Sequence, residues 1–366
     1  MSTYFTLFIF LILLSFLSLV GNRRQKEIIG AVALISICLF QGLRWRTGTD
    51  WIPYFDEFSY ANKENYKNFE AGYYCLNYIV RLFTNSYTVF LIVESFLIQI
   101  CYLKVSKDLK IHNYSIILLY FFSSYIFPVR FHLAGAICFC GYKYIIERRP
   151  FKMLLWFFLG SSVHVGVLMA LPLYFFVNWK YSKSQLLLLY LICCVIGLLS
   201  EYILGNALNV INLLYDQSSG YVQGKLNTYV SEENLGQRSF LSIFISILNG
   251  LLFIWLFIRI RGSKFVDSHV YNVLLNMYVL GLSASRLLIN AIPYLARSFA
   301  PYIGGSFILL FILFANKSGR INQFLLHFAM YIYIYFIYLR ILTGEFSDLF
   351  VPYYSILSTG IRHSVY

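Results

Sequence analysis

Residues 3–20 read TYFTLFIFLILLSFLSLV, a stretch that contains no charged residue and is about as long as a membrane-spanning helix. A helix of about 20 apolar residues, or 17 at the short end, crosses the hydrocarbon core of a bilayer. The stretch lacks the preceding basic region and the small-residue cleavage site of a signal peptide. We therefore expect a retained transmembrane helix at this position.

Similar apolar runs recur along the whole chain. Of the 366 residues, 59% are hydrophobic and 12% are charged, whereas soluble domains carry about 25% charged residues. This composition excludes a soluble enzyme and predicts an all-α, polytopic integral membrane protein with about ten transmembrane helices in a single domain, residues 1–366. The predicted spans are 3–20, 28–43, 86–103, 112–128, 131–146, 186–204, 239–259, 266–292, 298–315 and 321–342.

The net charge of +13 reflects membrane topology and predicts no nucleic-acid partner. Six short segments between apolar runs hold 16 Lys and Arg in 41 residues, while the remaining connecting segments hold 10 in 107 residues. An excess of Lys and Arg is typical of cytoplasmic loops. We therefore expect the basic segments in the cytoplasm and the segments 44–85, 205–238 and 343–366 on the external side.

This orientation requires residues 151–177 to enter and leave the membrane on the cytoplasmic side. The range is too short for two full spans, and residues 160–166 in its middle read GSSVHVG. Glycine and polar residues suit a re-entrant segment whose backbone groups are paired inside the protein. We expect a re-entrant hairpin with His164 near its tip, and one long tilted helix is the alternative.

The densest polar cluster, GLRWRTGTDWIPY at residues 42–54, follows the second predicted span. Arg44 and Arg46 lie on the predicted external side, where the topology rule expects few cations, and the arginine fork suits phosphate oxygens. Asp50 could orient an arginine or accept a proton from a sugar hydroxyl. The structural alternative is that the arginines extend to the membrane surface and Asp50 caps a turn.

Three further arginines, Arg130, Arg286 and Arg297, lie at or near the external ends of predicted spans. A charge at this depth is costly unless it faces a cavity or a partner. Few acidic residues accompany these cations, which favours a site for an anion such as a pyrophosphate. Pairing of the arginines with Asp, Glu or backbone carbonyl groups is the alternative.

Two histidines and one glutamate complete the set of candidate chemical groups. His132 and His164 could each serve as a general base or as a neutral phosphate ligand, although histidines in apolar stretches are commonly packing residues. Glu94 is an acid inside the span 86–103 with no partner nearby in the sequence. Nucleotide-binding, zinc-protease and serine-hydrolase motifs are absent, and the seven cysteines lack metal-ligand spacing. The sequence therefore predicts no metal site and no cofactor.

Four segments of the chain, taken in order, resemble the EpsG/Wzy group of polysaccharide polymerases, the O-antigen polymerase type. The four are residues 44–54 (an Arg…Gly-x-Asp…Tyr segment), FEAGY at 69–73, RFHLA at 130–134 followed by ERR at 147–149 and VH at 163–164, and VPYYS at 351–355. One departure is Phe131, which stands where the family pattern usually has Gln. No role of that Gln transfers to this chain.

The resemblance implies a GT-C-like helical bundle in the bacterial cytoplasmic (inner) membrane, with its active site facing the periplasm or exterior. It implies a glycosyltransferase that polymerises undecaprenyl-pyrophosphate-linked oligosaccharide repeat units into O-antigen or a related surface polysaccharide. The implied partners are those lipid-linked glycans, the lipid bilayer and a chain-length regulator of the polysaccharide co-polymerase type. The candidate catalytic residues are Asp50, His164, Arg44 and Arg130, and the candidate substrate-binding residues are Arg46, Tyr54, His132, Arg286 and Arg297.

Two other classes of membrane protein share parts of this pattern. A flippase or transporter of lipid-linked sugars would also bind an anionic lipid, but transporters commonly show internal repeats and none stands out here. A membrane sugar O-acyltransferase would also combine many helices with Arg and His. Against this class, the chain has no histidine before His112.

Overall fold

Long helices make up most of the described chain. The structure is a computed structural model, and it describes residues 1–61, 69–111, 114–215, 240–261, 268–290, 292–317, 320–344 and 346–357. The helices are α1 (Ser2–Val20), α2 (Arg23–Gly42), α3 (Trp51–Tyr60), α4 (Ala71–Phe83), α5 (Tyr87–Asp108), α6 (Ser115–Ser124), α7 (Arg130–Phe139), α8 (Tyr142–Ile146), α9 (Pro150–Val163), α10 (Tyr174–Val177), α11 (Lys183–Tyr215), α12 (Phe240–Ile260), α13 (Ser268–Leu288), α14 (Pro293–Arg297), α15 (Ala300–Lys317), α16 (Arg320–Thr343) and α17 (Ser347–Phe350), with a 3-10 helix at Val165–Leu173.

Six helices of the described residues are long and apolar enough to cross a membrane. Their outer faces carry large apolar side chains, as α1 shows: Ile9, Leu13 and Leu17, four residues apart, are all more than half exposed. A stripe of this kind is stable only against lipid or another protein. The chain is therefore an all-helical, multi-pass membrane protein, while the number of ten spans stays a prediction.

The described residues group into two compact units, Met1–Val165 with Ser318–Tyr366, and Gly166–Lys317. The expected single domain and the sidedness of the segments 44–85, 205–238 and 343–366 stay predictions. Residues 62–68, 216–238, 345 and 358–366 of those segments lie outside the described part of the chain.

In the first unit, α2 packs against α1, α5 and α6, and α7 packs against α5 and α9. Close approach depends on glycine at one crossing: a Cβ atom added to Gly42 would lie 2.1 Å from Cγ1 of Ile92. In the same unit, the rings of Phe8 and Tyr338 stack with centroids 4.6 Å apart. Tyr338 also donates a hydrogen bond of 3.0 Å to the carbonyl oxygen of Tyr4.

Two predicted spans and one predicted external segment differ from the structure in length or continuity. In the described part of the range 112–128, residues 114–128, the helix is the ten-residue Ser115–Ser124. The range 131–146 divides into Arg130–Phe139 and Tyr142–Ile146, separated at Cys140 and Gly141. The range 44–85 contains two helices, α3 and α4, of which α4 buries Tyr73, Asn77 and Val80 on one face.

The range 151–177 is interrupted at His164, as its glycine and serine content predicts. Helix α9 ends at Val163, His164 adopts an extended conformation with φ −153° and ψ 112°, and a 3-10 helix begins at Val165. The range is therefore not one continuous α-helix. The re-entrant path itself stays a prediction.

In the second unit, α13 packs against α11 and α15. Two glycines mark these crossings: a Cβ atom on Gly281 would lie 2.8 Å from Cβ of Tyr302, and one on Gly197 would lie 2.1 Å from the carbonyl oxygen of Arg286. The backbone of α11 thus lies against the end of α13 that carries Arg286.

Candidate functional site

The first unit brings the end of α2 together with the C-terminal segment of the described chain. Arg44 forms an isolated antiparallel bridge with Ser355. The amide nitrogen of Trp45 donates to the carbonyl oxygen of Tyr354 at 2.9 Å, and the amide nitrogen of Ile356 donates to that of Leu43 at 2.9 Å. The backbone on both sides of Arg44 is thereby held by residues more than 300 positions away.

Gly48 closes the loop that carries Arg44. Its amide nitrogen donates to the carbonyl oxygen of Leu349 at 2.7 Å. Its φ of +103° lies in the region that glycine adopts most easily, and an added Cβ atom would lie 3.2 Å from Nη1 of Arg44 and 3.2 Å from the ring of Phe127. A larger residue at this position would strain the backbone and crowd the guanidinium.

Arg44 is a buried cation whose Nε has no hydrogen-bond partner among the described residues. Its side chain is 3% exposed, its Cζ lies 4.9 Å from the ring centroid of Phe127, and its Nε is buried with no acceptor within reach. Burial lowers the pKa of Arg44, while Tyr87 and Glu94 act in the opposite direction. Arginine nevertheless stays protonated at neutral pH. An unpaired buried guanidinium is costly, which marks it as a candidate ligand for an anion.

Arg130, by contrast, has a carboxylate partner. Its Nη1 forms an ion pair with Oε2 of Glu70, and its Cζ lies 4.2 Å from the ring centroid of Phe69. The other carboxylate oxygen of Glu70 accepts a hydrogen bond of 3.1 Å from the amide nitrogen of Val165. Glu70 therefore joins the start of α7 to the break between α9 and the 3-10 helix.

Two tyrosines fill the space around these arginines. Tyr54 and Tyr73 are buried, with ring centroids 5.7 Å apart, and Tyr54 lies 5.2 Å from the ring of Phe69. Burial raises the pKa of Tyr54 to about 12, against the opposing effect of the adjacent Arg130. Their rings contact other protein rings, and Trp51 is likewise buried. These aromatic residues thus form the wall of the cluster.

Arg46 and Asp50 lie on the exposed side of the same loop. Arg46 has a positive φ of 47°, and its side chain is exposed. Asp50 immediately precedes α3, but its side chain makes no capping hydrogen bond. Asp50 also interacts electrostatically with Tyr54. The loop therefore places an exposed cation and an exposed carboxylate next to the buried cluster.

The two candidate histidines have different surroundings. Nδ1 of His132 accepts a hydrogen bond of 3.0 Å from the amide nitrogen of Val129, at the start of α7. His164 lies at the break after α9, and its ring centroid is 5.2 Å from that of Phe131. Both rings are half-buried. The hydrogen bond gives His132 a part in capping α7 and leaves only Nε2 for another contact.

Arg286 and Arg297 belong to the second unit. Nη2 of Arg286 donates to the carbonyl oxygen of Ser246 at 2.9 Å and to Oγ of Ser246 at 2.6 Å. Its Nε is buried without a partner. Arg297 ends α14, and its side chain is exposed.

A comparison with protein-family models gives one match, to the EpsG family, over residues 27–355. The chain belongs to the EpsG family. No curated protein and no solved structure matches it. The matched range includes all four segments on which the sequence resemblance rests. In this EpsG-family chain those segments all lie in the first unit, where the Arg44 loop meets the VPYYS segment and Glu70 meets Arg130.

Two acidic residues of this EpsG-family site could not be assigned from the sequence. Glu70 is part of the FEAGY segment, but nothing in the sequence indicates that it pairs with Arg130. Glu94 is recognisable as an acid inside an apolar span, yet its neighbour Arg44 lies on a different element. Within the described residues, no group of three or more His, Cys, Asp and Glu side chains could hold a metal ion.

Proposed function

We propose that this EpsG-family protein is a membrane glycosyltransferase that polymerises undecaprenyl-pyrophosphate-linked repeat units into O-antigen or a related surface polysaccharide. The reaction would take place at the outer face of the bacterial cytoplasmic membrane, in a GT-C-like bundle of about ten spans. Family membership supports the polymerase class, and the apolar helices support a membrane-embedded lipid substrate.

The observation that carries the proposal is the buried, unpartnered guanidinium of Arg44 at the meeting point of the family segments. When a sugar is transferred from a lipid pyrophosphate, negative charge develops on the leaving phosphate. A preorganised cation in a site poor in water stabilises that charge. The guanidinium of Arg44 has the donor geometry for two phosphate oxygens. Its Nε has no acceptor among the described residues.

The remaining residues of the first unit take supporting roles. Arg130, paired with Glu70, adds positive charge beside Tyr54, and Arg46 and His132 are further phosphate or sugar ligands. The hydroxyl oxygen of the acceptor sugar attacks the anomeric carbon of the donor, and the bond from that carbon to the pyrophosphate oxygen breaks. The hydroxyl proton passes to Asp50 or His164, both of which are accessible enough to meet a substrate.

In this proposal, the second unit and the partner proteins interact with the lipid-linked glycan. Arg286 and Arg297 would contact the anionic head group of a lipid-linked glycan, and the apolar helices would admit its polyprenyl tail. A chain-length regulator of the polysaccharide co-polymerase type would act on the same growing chain. Neither the proposed reaction nor these contacts require a cofactor.

The test uses the purified full-length protein in detergent with a defined undecaprenyl-pyrophosphate-linked repeat unit and no added metal. We expect glycan ladders on a gel, with mass increments of whole repeat units. Arg44→Ala should lower product formation about 100-fold, and Arg44→Lys should also lower it because lysine keeps the charge but loses the fork.

The matched control is Arg23→Ala, because Arg23 is a surface arginine with 79% side-chain exposure at the opposite end of α2. This variant should keep the ladder. Acetyl-sized mass increments would indicate an O-acyltransferase. Translocation of the lipid without any ladder would indicate a flippase, and either result contradicts the proposal.

A further inference from the structure

Glu94 is a buried carboxylate that forms no ion pair with any described residue. It lies in the first third of α5 (Tyr87–Asp108), its side chain is 3% exposed, and its Oε1 is buried without a hydrogen-bond donor. A buried carboxylate destabilises a protein unless an opposite charge or several donors compensate it. A compensating group should therefore be found among its neighbours.

That group is Arg44. The residues that interact electrostatically with Arg44 are Tyr87, Glu94, Tyr73 and Tyr353. Glu94 is the carboxylate among them, and the charge that acts on Glu94 in turn is that of Arg44. The two residues lie on different elements that meet at this point: Oγ of Ser95, next to Glu94 on α5, donates a hydrogen bond of 2.6 Å to Oε1 of Gln41, and Gly42 at the end of α2 packs against Ile92. The loop that carries Arg44 therefore begins beside the turn of α5 that carries Glu94.

The two charges interact without touching. Nε of Arg44 and Oε1 of Glu94 both lack a hydrogen-bond partner, and among the described residues no ion pair joins the two side chains. Arg130 is the contrasting case, because its guanidinium is in direct contact with Glu70. A direct ion pair occupies guanidinium donors, whereas a counter-ion at a distance leaves them open for an incoming anion.

We propose that Glu94 is a positioning residue: it is the counter-ion that keeps the Arg44 charge in its buried place without occupying the guanidinium donors. The Arg44 site is then nearly neutral before the substrate binds, and it gains its strongest interaction only when phosphate charge develops beside it. An interaction of this kind lowers the barrier more than it strengthens substrate binding. The catalytic part of the inference rests on the proposed function, whereas the counter-ion part does not.

The counter-ion part is tested by thermal unfolding of the purified full-length protein in detergent. Glu94→Gln and Arg44→Gln should each lower the midpoint temperature, because each leaves one buried charge uncompensated. The double variant should recover most of the loss, because both charges are then absent. Additive losses in the double variant would overturn the inference, whether or not the protein polymerises glycans.

The matched control is Asp108→Asn, the same chemical change on the same helix. Asp108 lies 14 residues after Glu94, about 21 Å along the helix axis, and its partners are Lys104 and Lys143. Its effect on the midpoint temperature should add to that of Arg44→Gln. Recovery with this control as well would mean that any loss of charge compensates Arg44, which also overturns the specific role of Glu94.

The catalytic part is tested by kinetics with the lipid-linked repeat unit, normalised to the amount of folded protein. Glu94→Gln should lower kcat about tenfold or more with little change in KM, and Glu94→Asp should restore part of kcat. In the Arg44→Gln background, Glu94→Gln should cause no further loss of kcat. An equal loss of kcat in both backgrounds would show that Glu94 acts independently of Arg44 and would overturn the positioning role.

Discussion

Glu70 forms an ion pair with Arg130 across two elements that are 60 residues apart in the sequence. The same carboxylate accepts a hydrogen bond from the amide nitrogen of Val165, immediately after His164. One side chain therefore fixes both a cation of the candidate site and the break in the chain that carries its candidate base. This double role can be separated by substitution.

Glu70→Gln keeps an oxygen acceptor for the Val165 amide but removes the charge that Arg130 needs. We expect the variant to lose most polymer formation while the amount of protein in the membrane falls only slightly. Glu70→Ala should lose both contacts and should be destabilised by about 1–3 kcal/mol. Quantitative immunoblots and glycan ladders from the same membranes measure the two effects.

The control for this prediction is Glu27→Gln, which removes an exposed ion pair with Arg23. Exposed pairs contribute about 0–1 kcal/mol, so both the amount of protein and the ladder should stay unchanged. Equal effects of Glu70→Gln and Glu70→Ala on the amount of protein would contradict separate roles for the two carboxylate oxygens.

Gly72 is the second specific requirement of the FEAGY segment. A Cβ atom at this position would lie 2.2 Å from Oγ and 2.7 Å from the carbonyl oxygen of Ser162. Because the second atom belongs to the backbone, no side-chain rotation relieves the overlap. Gly72→Ala should therefore separate α4 from α9 and destabilise the protein by about 1–3 kcal/mol, measured as a lower midpoint temperature in detergent.

Gly21→Ala is the matched glycine substitution. The atom nearest to its added Cβ would be Cβ of Gln25 at 3.2 Å, and Gln25 is exposed at the start of α2. It should leave the midpoint temperature nearly unchanged. If Gly72→Ala were tolerated equally well, the close packing of α4 on α9 would not be a requirement of the fold.

Hydropathy predicted the class of fold and most of the long helices, because burial in lipid demands long apolar runs with paired backbone groups. It did not predict where such a run is broken. The range 131–146 is mostly apolar, yet the helix ends at Phe139 and restarts at Tyr142. Helix α4 was missed as an element because its 13 residues are too few to cross a bilayer, and its burial depends on contacts with α9 and α3.

The arginines of the candidate site were predicted from the sequence, whereas their acidic partners were not, and this difference has a physical cause. Arginines at the ends of apolar runs are visible in a sequence because they are costly there. Their acidic partners are set by tertiary contacts, so Glu70 and Glu94 carry no local signal that links them to Arg130 and Arg44. The bridge between Arg44 and Ser355 joins residues near the two ends of the matched range, and it was likewise not predicted from the sequence.

Tyr353 anchors the C-terminal segment beneath the Arg44 loop. Its hydroxyl donates to the carbonyl oxygen of Phe40 at 2.8 Å, and its ring stacks on that of Phe40 with centroids 4.6 Å apart. Tyr353→Phe should keep the stacking and cost about 1 kcal/mol. Tyr353→Ala should release the segment, lower the midpoint temperature further and shorten the glycan ladder.

Tyr354→Phe is the control for this prediction, because the Tyr354 side chain is 39% exposed and the residue pairs with the loop through its backbone. It should change neither the midpoint temperature nor the ladder. A normal ladder from Tyr353→Ala at normal amounts of protein would mean that the C-terminal segment does not hold the Arg44 loop in its active form.

Substitutions of His132 and His164 should have different effects on protein amount and on the glycan ladder, because the two rings have different surroundings. Nδ1 of His132 accepts the Val129 amide at the third residue of α7, a position where glutamine commonly makes the same contact. His132→Ala should therefore lower the amount of protein through a loss of about 0.5–2 kcal/mol, and His132→Gln should restore it. His164→Ala should keep the amount of protein and lose the ladder, because Glu70 still holds the Val165 amide at the break after α9 when the imidazole is removed. A lost ladder from His132→Gln at normal protein amount would instead place Nε2 of His132 on the substrate.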